Sequence, residues 1–239
     1  MNHDRDDAPD VGDWEANAIA EVGTVRAEFQ ARLAAIRARV TSHGGNPDAT
    51  FAKTTLFDGP LPAPLSAAAF AEGVRMFGSR EELLRSARLP TAPVACELGV
   101  WKGGFSQRLL RHLKPATLHL YDLTFDRLDP AVRADPAVVL HEGDSGTAIA
   151  ELPDASVDFA YVDGDHSYRG ARRDLFAVFP KVKPGGLIQV NDYTPWSVLS
   201  GFPYGVMAAV HELLNGGGCT IEGVGLHPFG HHDLLIRKR

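Results

Sequence analysis

The chain has 239 residues, 44% of them hydrophobic and 23% charged, the proportions of a soluble globular protein long enough to bury a substantial core. A formal net charge of −6 leaves no broad basic field, which sets nucleic acid aside as a partner. No apolar run reaches the length needed to cross a bilayer, which sets a membrane aside as well.

The opening stretch "MNHDRDDAPDVGDWEANA" is acidic and lacks the apolar core of a secretory signal, so the expected location is the cytoplasm. Cys96 and Cys219 stand in apolar stretches without metal-site spacing and read as buried thiols, which suits a reducing compartment. Residues 1–13 are polar and predict disorder. From Trp14 to Val40, the residues Ile19, Val22, Val25, Phe29, Leu33 and Ile36 recur at steps of three or four. This spacing predicts an amphipathic helix whose stripe packs on the parent domain or on a second copy of the chain, as in a homo-oligomer. Residues 41–63, with "SHGGNPD" and "FDGPLPAP", read as a connecting loop or lid.

Ser79 and Glu82 have capping-box spacing, which predicts a helix from there to about Leu89, before Pro90. After Pro93 short apolar runs alternate with helical stretches. "VACELGV", "TLHLYDL", "AVVLHEG", "VDFAYVDG", "GLIQVNDY", "CTIEGVGL" and "HDLLIRKR" predict seven strands, the last two close enough to make an antiparallel pair at one edge. The expected fold is α/β, a Rossmann-like doubly wound, mainly parallel seven-stranded sheet with an antiparallel edge strand, preceded by an N-terminal helical extension. Residues 1–63 form the tail, helix and loop; residues 64–239 form the main domain.

Open parallel sheets bind ligands beyond the carboxyl ends of their strands. At those ends stand Glu97 with Gly99, Asp122, the trio Gly143, Asp144 and Ser145, Asp163 with Asp165, and Asn191 with Asp192. Any one of these has a local explanation as a cap or turn residue. All five on one edge point to a site.

"ELGVWKGGFS" (97–106) follows a strand and opens a helix, but it lacks the G-x-G-x-x-G spacing that seats a pyrophosphate, and Trp101 crowds that position. An acid two residues before Gly99 suits a ligand with an amino group, and Asp122 suits ribose hydroxyls. Together they ask for a nucleoside with a cationic, phosphate-free tail, and S-adenosylmethionine meets that description. With "ELGVWKGG", "EGDS" and "DGDHSY" in this order, the chain from about residue 90 onward resembles the class I S-adenosylmethionine-dependent methyltransferases. More narrowly, it is similar to the small-molecule O-methyltransferases of the macrocin and mycinamicin type.

The resemblance implies that Glu97, Gly99 and Gly103 line the methionine part of the cofactor, with Ser106 near the helix start. It implies that Asp122 holds the ribose, that Gly143, Asp144 and Ser145 border the adenine, and that Asp163 lies against the cofactor too. The expected reaction is methyl transfer to a hydroxyl of a small metabolite of the sugar or natural-product type. Removing the hydroxyl proton needs a base or a cation. His166 is the candidate base, since imidazole titrates near neutrality; Asp165 is its rival or its orienting partner. Asp163, Asn191 and Asp192 are the candidate ligands of magnesium, a hard cation, although Asn191 stands where metal-using relatives usually carry an acid.

Tyr168, Tyr193, Trp196, Phe202 and Tyr204 are candidate walls of an acceptor pocket. "HPFGHH" (227–232) is expected to be a solvated hairpin turn away from the site. The alternatives are a nicotinamide oxidoreductase, against which Trp101 and the missing glycine pattern count, and a non-catalytic cofactor-binding protein.

Overall fold

The computed structural model describes residues 59–199 and 202–239 and, before them, residues 20–21, 23–24, 27–28, 31, 34–35, 37–39 and 41–44. The chain divides into two units, Met1–Thr55 and Leu56–Arg239. In the first, the described residues from 20 to 42 are helical and exposed. The apolar stripe expected there, Ile19 to Ile36, lies outside the described residues. No helix among the described residues is long and apolar enough to cross a membrane.

The second unit is built on an eight-stranded sheet. In chain order its elements are β1 Phe70–Phe77, α1 Arg80–Arg85, β2 Val94–Leu98, α2 Gly104–Leu113, β3 Thr117–Asp122, α3 Pro130–Arg133, β4 Val138–Glu142, α4 Ser145–Ala148 and β5 Val157–Val162. They continue with α5 Tyr168–Lys181, β6 Val182–Tyr193, a two-stranded ribbon of β7 Trp196–Ser197 and β8 Phe202–Pro203, then α6 Val206–Asn215, β9 Cys219–Gly225 and β10 His232–Lys238.

Across the sheet the order is β1-β9-β10-β6-β5-β2-β3-β4. β10 pairs antiparallel with both β6 and β9, and the other pairings are parallel. The expected seven strands are present, and β1 is an eighth that pairs with β9, so the antiparallel strand lies third from that rim. The segment "FAEGVRMF" of β1 carries no strand pattern, because it is mostly exposed and is bent by a register shift after Phe70. In "KVKPGG" (181–186) α5 stops at Lys181 and β6 opens at Val182, which pairs with Val157.

Every residue of the central strand β5 is buried, as its unbroken apolar run demands of a strand covered on both faces. One core beside the sheet joins Leu175 and Val178 of α5 with Val206, Val210 and Leu213 of α6. The other joins Leu83 and Leu84 of α1 with Phe105 and Leu109 of α2. In α1, Ser79 Oγ accepts from the Glu82 N–H at 3.2 Å, while Glu82 reaches back to the Gly78 N–H at 2.9 Å. The helix ends at Arg85, short of Leu89. Cys96 and Cys219 are buried and free.

The chain runs outward from β2 to β3 and β4, then returns to β5 on the other side of β2. The strand order therefore reverses between β2 and β5, which is where an open sheet leaves a crevice at its carboxyl edge.

Candidate active site

At that reversal a pocket of about 460 Å³ opens, lined in part by Gly99, Asp122, Gly143, Asp144, Ser145 and Asp163. Backbone geometry shapes its floor. Gly99 has φ +86°, and a Cβ there would lie 2.1 Å from the carbonyl oxygen of Asp163. Only glycine lets the ends of β2 and β5 approach this closely. Asp122 Oδ2 accepts from the N–H groups of Val100 and Trp101 at 2.8 and 2.7 Å. Its Oδ1 has only a long 3.5 Å contact with the Thr124 N–H, so it is disposed to take a ligand hydroxyl.

On the far wall, Asp144 caps α4 through the Thr147 N–H and pairs with Arg173 at 2.9 Å. Ser145 donates to Asp174 at 3.0 Å. Asp174 is buried and its pKa is raised by that burial. Arg173 lines the pocket, a contribution from the middle of α5 that no strand-end motif announces.

Glu97, Gly103 and Ser106 are absent from this lining. Glu97 is buried on the core side of β2, where Ser106 donates to it at 2.5 Å, and burial raises its pKa well above the carboxylate range. Gly103, at φ +79°, caps α2 and faces Leu128 and Val132. The acids that do line the pocket are Asp122, Asp144, Asp163 and Asp165.

Asp163 links this pocket to a second cluster. His166 Nε2 lies 3.3 Å from Asp163 Oδ1 and 3.4 Å from Asp192 Oδ2. The His166 ring stacks on Tyr204, with centroids 4.5 Å apart and planes 5° from parallel, and its carbonyl accepts from the Gly205 N–H at 2.8 Å. Burial opposes protonation of His166, yet the hydrogen bond and charge of Asp163, joined by the charges of Asp192 and Asp165, raise its pKa. Asp165 itself is turned back on its own loop, accepting from the Ser167 N–H at 2.9 Å. It makes no hydrogen bond to His166, and its orienting role passes to Asp163 and Asp192.

The cluster extends to a segment expected elsewhere. "HPFGHH" does not lie away from the site: His231 is 4% exposed, with Nδ1 3.1 Å from Asp192 Oδ1. The reason is topological. β10 runs antiparallel, so the residues entering it sit at the edge where β6 ends. A second pocket, of about 200 Å³, lies here among Arg80, Asn191, Asp192, Tyr204, His227 and His231. Arg80 enters from the start of α1, 3.3 Å from the Tyr161 hydroxyl and 3.7 Å from Asp233. Gln189 also donates to Asp233 at 2.8 Å.

Of the aromatic candidates, Tyr204 reaches the site. Tyr168 instead donates to Glu212 at 2.7 Å, and Tyr193 pairs with His211 at 2.5 Å, both toward α6. The side chain of Phe202 lies outside what is described.

The chemistry of Asp163, Asn191 and Asp192 suits a hard cation. The two carboxylates flank one point, where Nε2 of His166 sits, and the Asn191 Oδ1 beside them is buried without a hydrogen-bond partner among the described residues. As folded, the Asn191 amide N–H donates to Asp163 at 2.7 Å. No group of three or more His, Cys, Asp or Glu among the described residues is arranged to hold a metal, so a cation here rests on two carboxylates and the amide oxygen.

Residues 96–193 match a family model described as a methyltransferase domain. No curated protein matches the chain. Among solved structures the chain resembles the pyocyanin biosynthetic protein PhzM, at 16% identity and a TM-score of 0.52, over 66% of this chain and 54% of PhzM. It also resembles a Corynebacterium glutamicum protein, at 17% identity and a TM-score of 0.51, over 87% of this chain and 89% of that one. MycE, a methyltransferase from the mycinamycin pathway solved with magnesium and SAH, aligns at 20% identity and a TM-score of 0.43, over 62% of this chain and 45% of MycE, too slight a likeness to argue from. The chain thus spans about half the length of PhzM, with which it shares a fold. The solved structures show the fold, and residues 96–193 within it are similar to a methyltransferase domain.

Proposed function

We propose that this protein transfers the methyl group of S-adenosylmethionine to a hydroxyl of a small metabolite of the sugar or natural-product type. The observation that carries the reading is the double role of Asp163, which lines the large pocket and also holds His166. Through it the place for the donor and the place for the base become neighbours. When bound, S-adenosylmethionine supplies an electrophilic methyl group on a sulfonium.

The chain's own residues do the rest. Gly99 opens room for the donor, and Asp122 Oδ1 accepts a ribose hydroxyl while its other oxygen holds the loop at Val100 and Trp101. His166 turns Nε2 toward two carboxylates, so Nε2 carries the proton of the neutral ring and Nδ1 is left to accept one from the acceptor hydroxyl. Asp163 and Asp192 stabilise the imidazolium that results.

Asp163, Asn191 and Asp192 are the residues that would hold a divalent cation such as magnesium, which would supply Lewis-acid charge stabilisation there. Free buried thiols at Cys96 and Cys219 accord with a cytoplasmic enzyme. Its partner is a small hydroxylated molecule, with no nucleic acid or membrane. In this reading residues 64–239 are the catalytic domain, and the N-terminal segment, residues 1–63, serves as a contact between copies of the chain.

Calorimetric titration with S-adenosylmethionine and with NAD tests the reading. S-adenosylmethionine should bind and NAD should not; binding of NAD alone overturns it in favour of a nicotinamide enzyme.

A further inference from the structure

A second imidazole stands in the cluster, and the proposed reaction does not use it. His231 is buried, and its Nδ1 faces Asp192 Oδ1 at 3.1 Å. Next to a carboxylate oxygen, Nδ1 is the nitrogen that carries the proton of the neutral ring, which makes Nε2 the acceptor. That Nε2 is buried and has no hydrogen-bond partner among the described residues. A buried acceptor with no donor is unusual in a folded protein and asks for an explanation.

The surroundings supply one. His231 lines the 200 Å³ pocket with Arg80, Asn191, Asp192, Tyr204 and His227. Tyr204 meets His231 edge-on with centroids 5.9 Å apart, while its face stacks on His166. Asp192 also serves both rings, through Oδ2 to His166 and Oδ1 to His231. One aromatic ring and one carboxylate therefore hold two imidazoles, of which His166 stands behind Asp192 and Tyr204, which line the pocket, while His231 lines it itself. The first ring is engaged by Asp163 as well as Asp192; the second keeps an acceptor atom unspent.

We infer that His231 Nε2 is a specificity-determining contact for the methyl acceptor, taking a hydrogen bond from a second hydroxyl or N–H that the acceptor carries beside its reacting hydroxyl. This rests on the proposed methyl-transfer site and narrows its acceptor to molecules with two neighbouring donor groups. Asp192 positions the ring and sets its tautomer. Acceptors with a single hydroxyl leave Nε2 unpaired and bind less well, since an unmet buried polar group is what separates two otherwise similar ligands.

The test uses the full chain labelled with ¹⁵N-histidine and saturated with S-adenosylhomocysteine. Catechol and trans-1,2-cyclohexanediol are the probes, with phenol and cyclohexanol as controls. His231 should show a protonated Nδ1 and a bare Nε2, and the Nε2 resonance should move with the two diols and stay in place with the two controls. A protonated Nε2 in the free protein, or an Nε2 signal that neither diol moves, overturns the inference. His231→Asn keeps a donor toward Asp192 but removes Nε2; it should weaken diol binding about tenfold and leave S-adenosylhomocysteine affinity unchanged. Unchanged diol binding in that variant is also fatal to the inference. Failure of S-adenosylhomocysteine to bind the unaltered protein counts against the methyl-transfer reading itself, so the two failures remain distinguishable.

Discussion

The two ends of the site are made of different material. Around β2, β3 and β5 the pocket is shaped by backbone: a glycine at the β2–β5 approach, peptide N–H groups clamped on Asp122, and a cap at Asp144. Around β6 and β10 it is made of side chains from separate stretches: His166, Asp192, Tyr204 and His231 meet through ion pairs and ring contacts, and Arg80, which lines the same pocket as the last three, pairs with Asp233. A backbone cradle suits one unvarying ligand, because a peptide group cannot be exchanged by substitution. A side-chain wall suits a ligand that differs from enzyme to enzyme. The division therefore matches a common donor on one side and a particular acceptor on the other.

The sharpest way to break the comparison is at Gly99. In Gly99→Ala the new methyl meets the Asp163 carbonyl at 2.1 Å, so S-adenosylmethionine affinity in calorimetry should fall to undetectable, with a lowered melting temperature. Normal binding would show that the floor is not rigid. At the other end, His166→Ala should reduce turnover by roughly 10²–10⁴-fold, the usual worth of a general base, while cofactor affinity stays within a factor of two or so. Near-normal turnover removes His166 as the base. Treatment with a chelator should lower turnover about tenfold, restored by magnesium, if the cation takes the roles described for metal catalysis. Unchanged turnover assigns Asp163 and Asp192 to hydrogen bonding alone.

The smallest expected effect concerns stability. Asp233 is pushed up to about 7, chiefly by burial, against the charge of Arg80 and the Gln189 hydrogen bond, with Asp163 and Asp192 adding to the rise. An acid whose folded pKa exceeds its unfolded value near 4 holds its proton more tightly when folded. Its contribution to stability is therefore present at low pH and is lost as pH rises from about 4 through about 7. In melting curves between pH 5 and pH 8, Asp233→Asn should show a smaller fall in melting temperature than the unaltered protein. Equal falls would mean that Asp233 ionises normally.

Much of the first end could be read from residue order. Strand followed by glycine-rich loop followed by helix places Gly99 at a turn, and an acid at the next strand end places Asp122 beside it; both follow from local spacing. Local spacing also misled. Glu97 and Ser106 belong to the same motif, yet the alternation of β2 turns Glu97 into the core, where it pairs with Ser106. At the second end His166, Asp163, Asn191 and Asp192 were all expected, since each ends or follows a parallel strand. Nothing in local spacing points to His231 or Arg80, and the exposed, bent run of β1 carries no regular alternation.

By itself, then, the sequence determined the alternation of strands and helices, the acidic carboxyl edge, and the loop that bears His166. These depend on neighbours a few residues apart, where propensity, capping and hydrophobic period act. The tertiary structure alone decided that "HPFGHH" reaches Asp192. Whether the start of the last strand lies at the reacting edge depends on that strand running antiparallel between β6 and β9, and that is a matter of sheet order, which no local pattern records.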